Sequence, residues 1–340
     1  MNGGVEAKGI VISSDVEISV VLDYYDEEFV PRRDEDMTAI EPISSSQTEY
    51  YVMNYFGGSN NCRSDLNKQF YAVSAAVDGT AITVTTPGGS SSVYNMNQFD
   101  TYSEVSSSGT TDYTGIHIES NEPVTLIAGK ICATFNGAYG SYISSQTPVA
   151  DYESEYHVPY IYQPSSMGYA AQVMAAYDNT NVDVEGNSYS IDAGDDIFLS
   201  YPSRNTGTLI NCTQPCNVVQ YTIGLQESVA MFSTSVVATE DFDTSAYFTT
   251  KALTYTFYIT VVVASSEPVF DLLLDGQAFN PTWNTAGDYI YADTSVAIGS
   301  HVMNSTFGSL FAVYTYSHYG REAGGYGYAV LPSRGETCSY

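Results

Sequence analysis

Apolar and polar residues alternate with a period of two along most of this chain. Ala81-Ile82-Thr83-Val84, Asn181-Val182-Asp183-Val184, Tyr255-Thr256-Phe257-Tyr258-Ile259-Thr260-Val261 and Ala312-Val313-Tyr314-Thr315-Tyr316 each turn one face to a core and the other to water, as strands do. Turn formers separate these runs: Val77-Asp78-Gly79, Pro87-Gly88-Gly89, Ala193-Gly194-Asp195 and Asp275-Gly276. Glu185-Gly186-Asn187 reads as a tight hairpin between two of them. No segment sustains a 3.6-residue period between caps, so the pattern predicts an all-β protein with little helix.

Two phrases recur. Ala72–Val84 (AVSAAVDGTAITV) returns one hundred residues later as Gln172–Val184 (QVMAAYDNTNVDV), with Asp78/Asp178 and Thr80/Thr180 in register. Gly9–Val21 (GIVISSDVEISVV) returns as Gly115–Ile127, more faintly as Gly207–Val219, and once more from Gly299. Measured from that phrase, the chain divides into units at 1–114, 115–206 and 207–298, with terminal strands at 299–340 completing the last. Each full unit holds a G-x-x-I strand, a second apolar strand, an aromatic phrase (Glu49-Tyr50-Tyr51-Val52, Glu155-Tyr156-His157-Val158) and an Asp-x-Thr hairpin. Six to eight strands in about 100 residues suit a β-sandwich or jelly roll. A β-propeller built from the same repeats fits the count as well.

Charge narrows the partners. With 39 acidic against 10 basic residues the 340-residue chain carries −29, so nucleic acid is excluded for want of a basic footprint. Such a surplus suits a saline or calcium-containing medium, or a large surface over which charge is spread thinly, and simple solubility accounts for it equally well. The longest apolar run, near Tyr258–Ala264, is too short to span a bilayer, and no leader opens the sequence. The expectation is a mature or excised part of a secreted or surface protein. Of five cysteines, Cys212 and Cys216 are spaced for a local disulfide across a proline turn, while Cys62, Cys132 and Cys338 stay unassigned. Asn211 and Asn304 head glycosylation sequons.

No G-x-S-x-G elbow, phosphate-binding loop or H-E-x-x-H helix is present, so the chain is expected not to be an enzyme and to need no obligatory cofactor. The histidines, His117, His157, His301 and His318, sit beside aromatics and read as packing groups; His117 and His301 share a place in the returning phrase. Carboxylate clusters are the better candidates: Asp23, Asp26 and Glu27, and Asp192, Asp195 and Asp196, stand beside turn residues where calcium would find oxygen ligands. Solvated acidic loops are the plainer account of each. Tyrosine, at 31 copies, suits strands; exposed rows of it would make glycan- or protein-binding faces or subunit contacts, with Tyr326 and Tyr328 the first to test.

One resemblance covers nearly the whole chain. Asp112-Tyr113-Thr114-Gly115-Ile116-His117-Ile118-Glu119-Ser120-Asn121-Glu122-Pro123-Val124, then Ala128–Cys132, Gln146-Thr147-Pro148, Tyr156–Pro159 and Met174–Val182, and finally Gly324–Ala329, are similar in order and spacing to the N-terminal domain of the IgG Fc-binding protein family. That module occurs in secreted, mucus-associated and adhesive proteins. Family members carry a second cysteine shortly after the position of Cys132; the matching stretch here, Gly140–Gln146, has none, which leaves Cys132 without that local partner. The resemblance marks no Fc-contacting residue. It implies an extracellular, non-enzymatic module, expected to self-associate into a fibre, mucus-like or surface matrix. The alternative is a calcium-assisted, lectin-like receptor for extracellular glycans or glycoproteins, with no membrane insertion in this segment.

Overall fold

A computed structural model of the chain describes residues 4–16, 18–26, 34–44, 47–55, 57, 67–135, 138–161, 168–201, 204–222, 232–250, 256–318 and 327–330. Strands account for nearly all of its regular structure, with two short 3-10 turns between them. Three strands come first: β1 (Gly4–Ala7), β2 (Val20–Asp26) and β3 (Asp34–Ile40). The first sandwich follows as β4 (Glu49–Tyr51), β5 (Gln69–Ala75), β6 (Thr80–Thr85), β7 (Ser91–Met96), β8 (Asp100–Val105), β9 (His117–Ser120), β10 (Val124–Phe135) and β11 (Ala138–Ser145). The second is β12 (Glu153–Val158), β13 (Tyr169–Ala175), β14 (Thr180–Val184), β15 (Asn187–Ile191), β16 (Asp196–Tyr201), β17 (Thr208–Thr222) and β18 (Ser233–Ser235). The third is β19 (Ser245–Thr250), β20 (Thr256–Ala264), β21 (Leu272–Leu274), β22 (Gln277–Ala278), β23 (Asn284–Ala286), β24 (Tyr289–Val296), β25 (Gly299–Ser305), β26 (Phe311–His318) and β27 (Gly327–Ala329).

One wiring diagram serves all three. In the first sandwich one sheet runs β4-β9-β6-β7, and the facing sheet runs β8-β5-β10-β11 with β1 added at the β8 edge. The third repeats it as β19-β25-β21-β22 opposite β24-β20-β26-β27. In the second, β9 and β10 have fused into the single strand β17. Its first part pairs with β12 and β14 and its last part with β13 and β18, so both sheets become one. Facing sheets share each core: Tyr50, Ile82 and Ile118 meet Tyr71, Val73 and Leu126 in the first sandwich. The chain is thus built of all-β sandwiches rather than propeller blades.

The repeated hairpins are equivalent down to their side-chain bonds. The Thr80 hydroxyl donates to the Val77 carbonyl at 2.7 Å and that of Thr180 to Tyr177 at 2.6 Å. Asp78 accepts from the Gln98 N–H at 2.8 Å, as Asp178 does from Ala193 at 3.1 Å. The residue between them is left-handed in both, Gly79 at φ +76° and Asn179 at +58°, which is why only glycine or asparagine stands there.

The returning G-x-x-I phrase, by contrast, opens the sixth strand of each sandwich. Gly115 immediately precedes β9, Gly207 precedes β17 and Gly299 begins β25, so units measured from it run out of one sandwich into the next. In the third copy the facing is displaced by one residue. Met303, fully buried, takes the core place held by Ile118 and Ile210, so His117 and His301 look to opposite sides of their sheets.

Adjacent sandwiches pack on each other. The outward residues Ala170 and Met174 of β13 meet Tyr51, Met53, Tyr55 and Tyr142 of the first sandwich. Val262 and Tyr314, outward on the third sandwich, join the core of the second. The closing strands β11, β18 and β27 lie against one another, and β3 completes a ring between β27 and β11. Asp36 and Thr38 of β3 accept from the Ile143 and Ser145 N–H groups of β11 at 2.8 and 2.9 Å.

Candidate functional site

The acidic residues singled out from the sequence do not converge. Asp192 is exposed and its Oδ1 accepts from the Asn179 N–H at 2.9 Å, which with the Asp178 bond to Ala193 fastens two neighbouring turns. Asp195 is exposed. Asp196 points the other way, its Oδ2 accepting from Gln172 Nε2 at 2.9 Å, and burial holds its carboxyl above the ordinary range against the pull of that bond. Asp23 is exposed on β2, Asp26 ends that strand opposite Asp34, and Glu27 lies outside the described residues. Among the described residues no three His, Cys, Asp or Glu side chains are placed to hold a metal ion.

Tyrosines fill the interior. Tyr50, Tyr71, Tyr142, Tyr156, Tyr169, Tyr221, Tyr314 and Tyr316 are among the largest fully buried side chains. The hydroxyls of Tyr50 and Tyr156, equivalent residues of two sandwiches, donate to the Val124 and Cys216 carbonyls at 2.8 and 2.6 Å. Tyr314 and Tyr316 alternate as on a wet face but are buried, because the neighbouring sandwich covers the outer face of their sheet. Tyr328 lies in β27 opposite Thr315; its side chain, and Tyr326 altogether, fall outside the described residues.

A tyrosine-lined hollow of about 290 Å³ opens on the first sandwich. Tyr94 and Tyr102 stack there with centroids 4.0 Å apart, and Tyr71, edge-on to Tyr113 at 5.2 Å, donates its hydroxyl to Glu104 at 2.6 Å. Burial and then the Glu104 bond hold the Tyr71 phenol far above its usual range, and burial pushes Tyr113 up to about 12. These phenols are fixed donors at neutral pH. Ring faces, a carboxylate and rim hydroxyls suit a neutral polyhydroxylated ligand; they include no nucleophile–base pair. The sequence carries a faint sign of this hollow, since Tyr94, Tyr102 and Tyr113 fall on three separate elements that only the fold brings together.

A second cleft, about 420 Å³, lies between the second sandwich and β23. Arg204 forms a two-pronged pair with Glu185, Nη1 to Oε2 at 2.7 Å, and lies over the Tyr201 ring at 5.1 Å. Asn211 lines this cleft, whereas Asn304 sits in β25 opposite Ser245 and Leu273. Cys212 and Cys216 are disulfide-bonded across the bend in β17, and Cys132 is bonded as well, Cys62 and Cys338 lying outside the described residues.

Histidines pack as the sequence predicts. His117 stacks on Tyr51 at 4.6 Å with Nε2 2.8 Å from Glu49, and His301 stacks on Phe248 at 5.2 Å. His157, 1% exposed, stacks on Tyr289 of the third sandwich at 4.9 Å, and neither of its ring nitrogens has a hydrogen-bond partner. The side chain of His318 lies outside the described residues.

A family model described as IgGFc binding protein matches residues 36–317, from β3 into β26. No curated protein and no solved structure matches.

Proposed function

We propose, from the premise that this chain belongs to the IgGFc binding protein family, that it is an extracellular, non-catalytic interaction module that associates with its own kind in an adhesive or mucus-like matrix. The observation that carries this reading is the half-open outer face of the first sandwich. On β13 every residue is buried because the preceding sandwich covers its outer face, whereas on β5 the outward Phe70, Ala72 and Ser74 remain half-buried. The chain already closes such a face twice within itself, and a second molecule would close it a third time. Sedimentation velocity and electron microscopy of the full chain at low and high salt test this. Oligomers that grow as salt screens the −29 charge, and that Ala72→Arg abolishes, are expected. A monomer at every concentration and salt overturns self-association.

The tyrosine hollow favours a second reading, a receptor for glycans or glycoproteins, and the Fc portion named in the family description is a natural first ligand. Glycan-array binding lost in Glu104→Gln would support it, and an array signal unchanged by that substitution would remove the hollow from consideration.

A further inference from the structure

Residues 9–40 are the last three strands of a sandwich whose other strands are not found among the described residues. The hairpin of β2 and β3 pairs Val21 with Ala39, in the register that pairs Ile127 with Ser145 and Val219 with Ser235 at the end of the first two sandwiches. Counting back by that register, Gly9–Ser14 stands where β9 and the start of β17 stand. Core positions confirm the equivalence and show what is different. Ile118 and Ile210 are 0% exposed, but Ile12 is 60% exposed; Ile116 and Thr208 are 4% and 1%, but Ile10 is 88%; Val124 and Cys216 are 0%, but Ile18 is 46%. These three side chains have the pattern of a core and no core around them.

In all three sandwiches the equivalent strand is held on both edges, β9 by β4 and β6, β17 by β12 and β14, β25 by β19 and β21. No strand among the described residues pairs with Gly9–Ser14; the Gly9 N–H bonds to the Phe99 carbonyl at 2.7 Å, and the stretch beyond carries no charge. The leading strands β4 and β12 show what belongs beside it. Each sets a tyrosine opposite the buried isoleucine (Tyr50 on Ile118, Tyr156 on Ile210), an aromatic residue after it (Tyr51, His157) and a glutamate before it (Glu49, Glu155). Each tyrosine also donates to the carbonyl of the residue equivalent to Ile18.

We propose that Gly9–Ser14 is an open acceptor edge that takes an extended strand of Glu-Tyr-aromatic pattern from another polypeptide, antiparallel, with its tyrosine on Ile12 and the tyrosine hydroxyl on the Ile18 carbonyl. The occupant follows from continuity with the same pairing made inside this chain, and the proposal rests on the reading of the chain as an interaction module.

The test adds a fluorescent peptide of residues 153–160 to the full 340-residue chain. Saturable binding is expected, with slowed amide exchange confined to residues 9–14. Ile12→Asp, at an exposed position and so compatible with folding, should weaken binding at least about tenfold, and a peptide with Tyr156→Phe should bind several-fold more weakly. Binding that fails to saturate, that a scrambled peptide reproduces, or that Ile12→Asp leaves unchanged overturns the proposal. Protection of residues 9–14 by dimerisation without peptide also overturns it, since the edge would then belong to a second copy. A chain that stays monomeric yet takes the peptide upholds the acceptor edge while refuting self-association; an assembling chain that ignores the peptide does the reverse.

Discussion

His157 ties stability to pH across the junction of the second and third sandwiches. Burial drops its pKa from 6.5 to about 4, because an imidazolium there would be stripped of water between Tyr289 and the Gly207 backbone. The folded state therefore holds the neutral ring, and the unfolded chain binds the proton more readily. This contribution is complete above pH 6.5 and is lost as pH falls toward 4. At about 1.4 kcal/mol per pH unit, the gap is worth about 3 kcal/mol. Urea unfolding of the wild type and of His157→Leu at steps between pH 7 and 4 isolates it, because the carboxylates titrate alike in both proteins. Leucine fits where a larger ring would strike Gly207, whose backbone approaches the imidazole closely. The wild type should lose about 3 kcal/mol more than the variant over that range. Equal losses would refute the argument, as would a His157 titration near 6.5 in the folded protein.

Two further perturbations address the frame around that junction. Asp36→Ala should cost about 2–4 kcal/mol, read as a lowered thermal midpoint, because it strands the buried N–H groups of Met37 and Ile143 that its carboxylate now accepts. Replacing Cys212 and Cys216 together by serine opens a loop closed at a sequence separation of 4, and denaturant titration should show a loss of about 2 kcal/mol.

Strands, hairpins and the Cys212–Cys216 bridge were legible in the sequence because each depends on neighbours in the chain. Asp78, Thr80 and their counterparts make bonds that reach no further than the next turn, so the repeat of residues is a repeat of structure. The phase of the repeat was not legible. The Gly115 phrase is the sixth strand of one sandwich, paired with β4 some sixty-eight residues earlier, and no local pattern says which strand a sandwich begins with. Burial of Tyr314 and Tyr316 was hidden for a related reason: alternation distinguishes core from water, and here the second surface meets a neighbouring sandwich. The carboxylates of Asp192 and Asp196 are close in sequence yet serve a turn and a buried glutamine on different sides of the strand.

The ring of closing strands couples the beginning of the polypeptide to its end. Residues 34–40 lie against β27 and share a buried cluster with the third sandwich, so the segment made first waits for almost the last one made. At about 5–20 residues per second that delay is roughly 15–60 s, during which β3 has one of its two flanking neighbours and Met37 lacks the cluster it will enter. Maturation of this chain is accordingly a post-synthetic event, and a nascent molecule halted before β27 keeps its first strands in search of a partner.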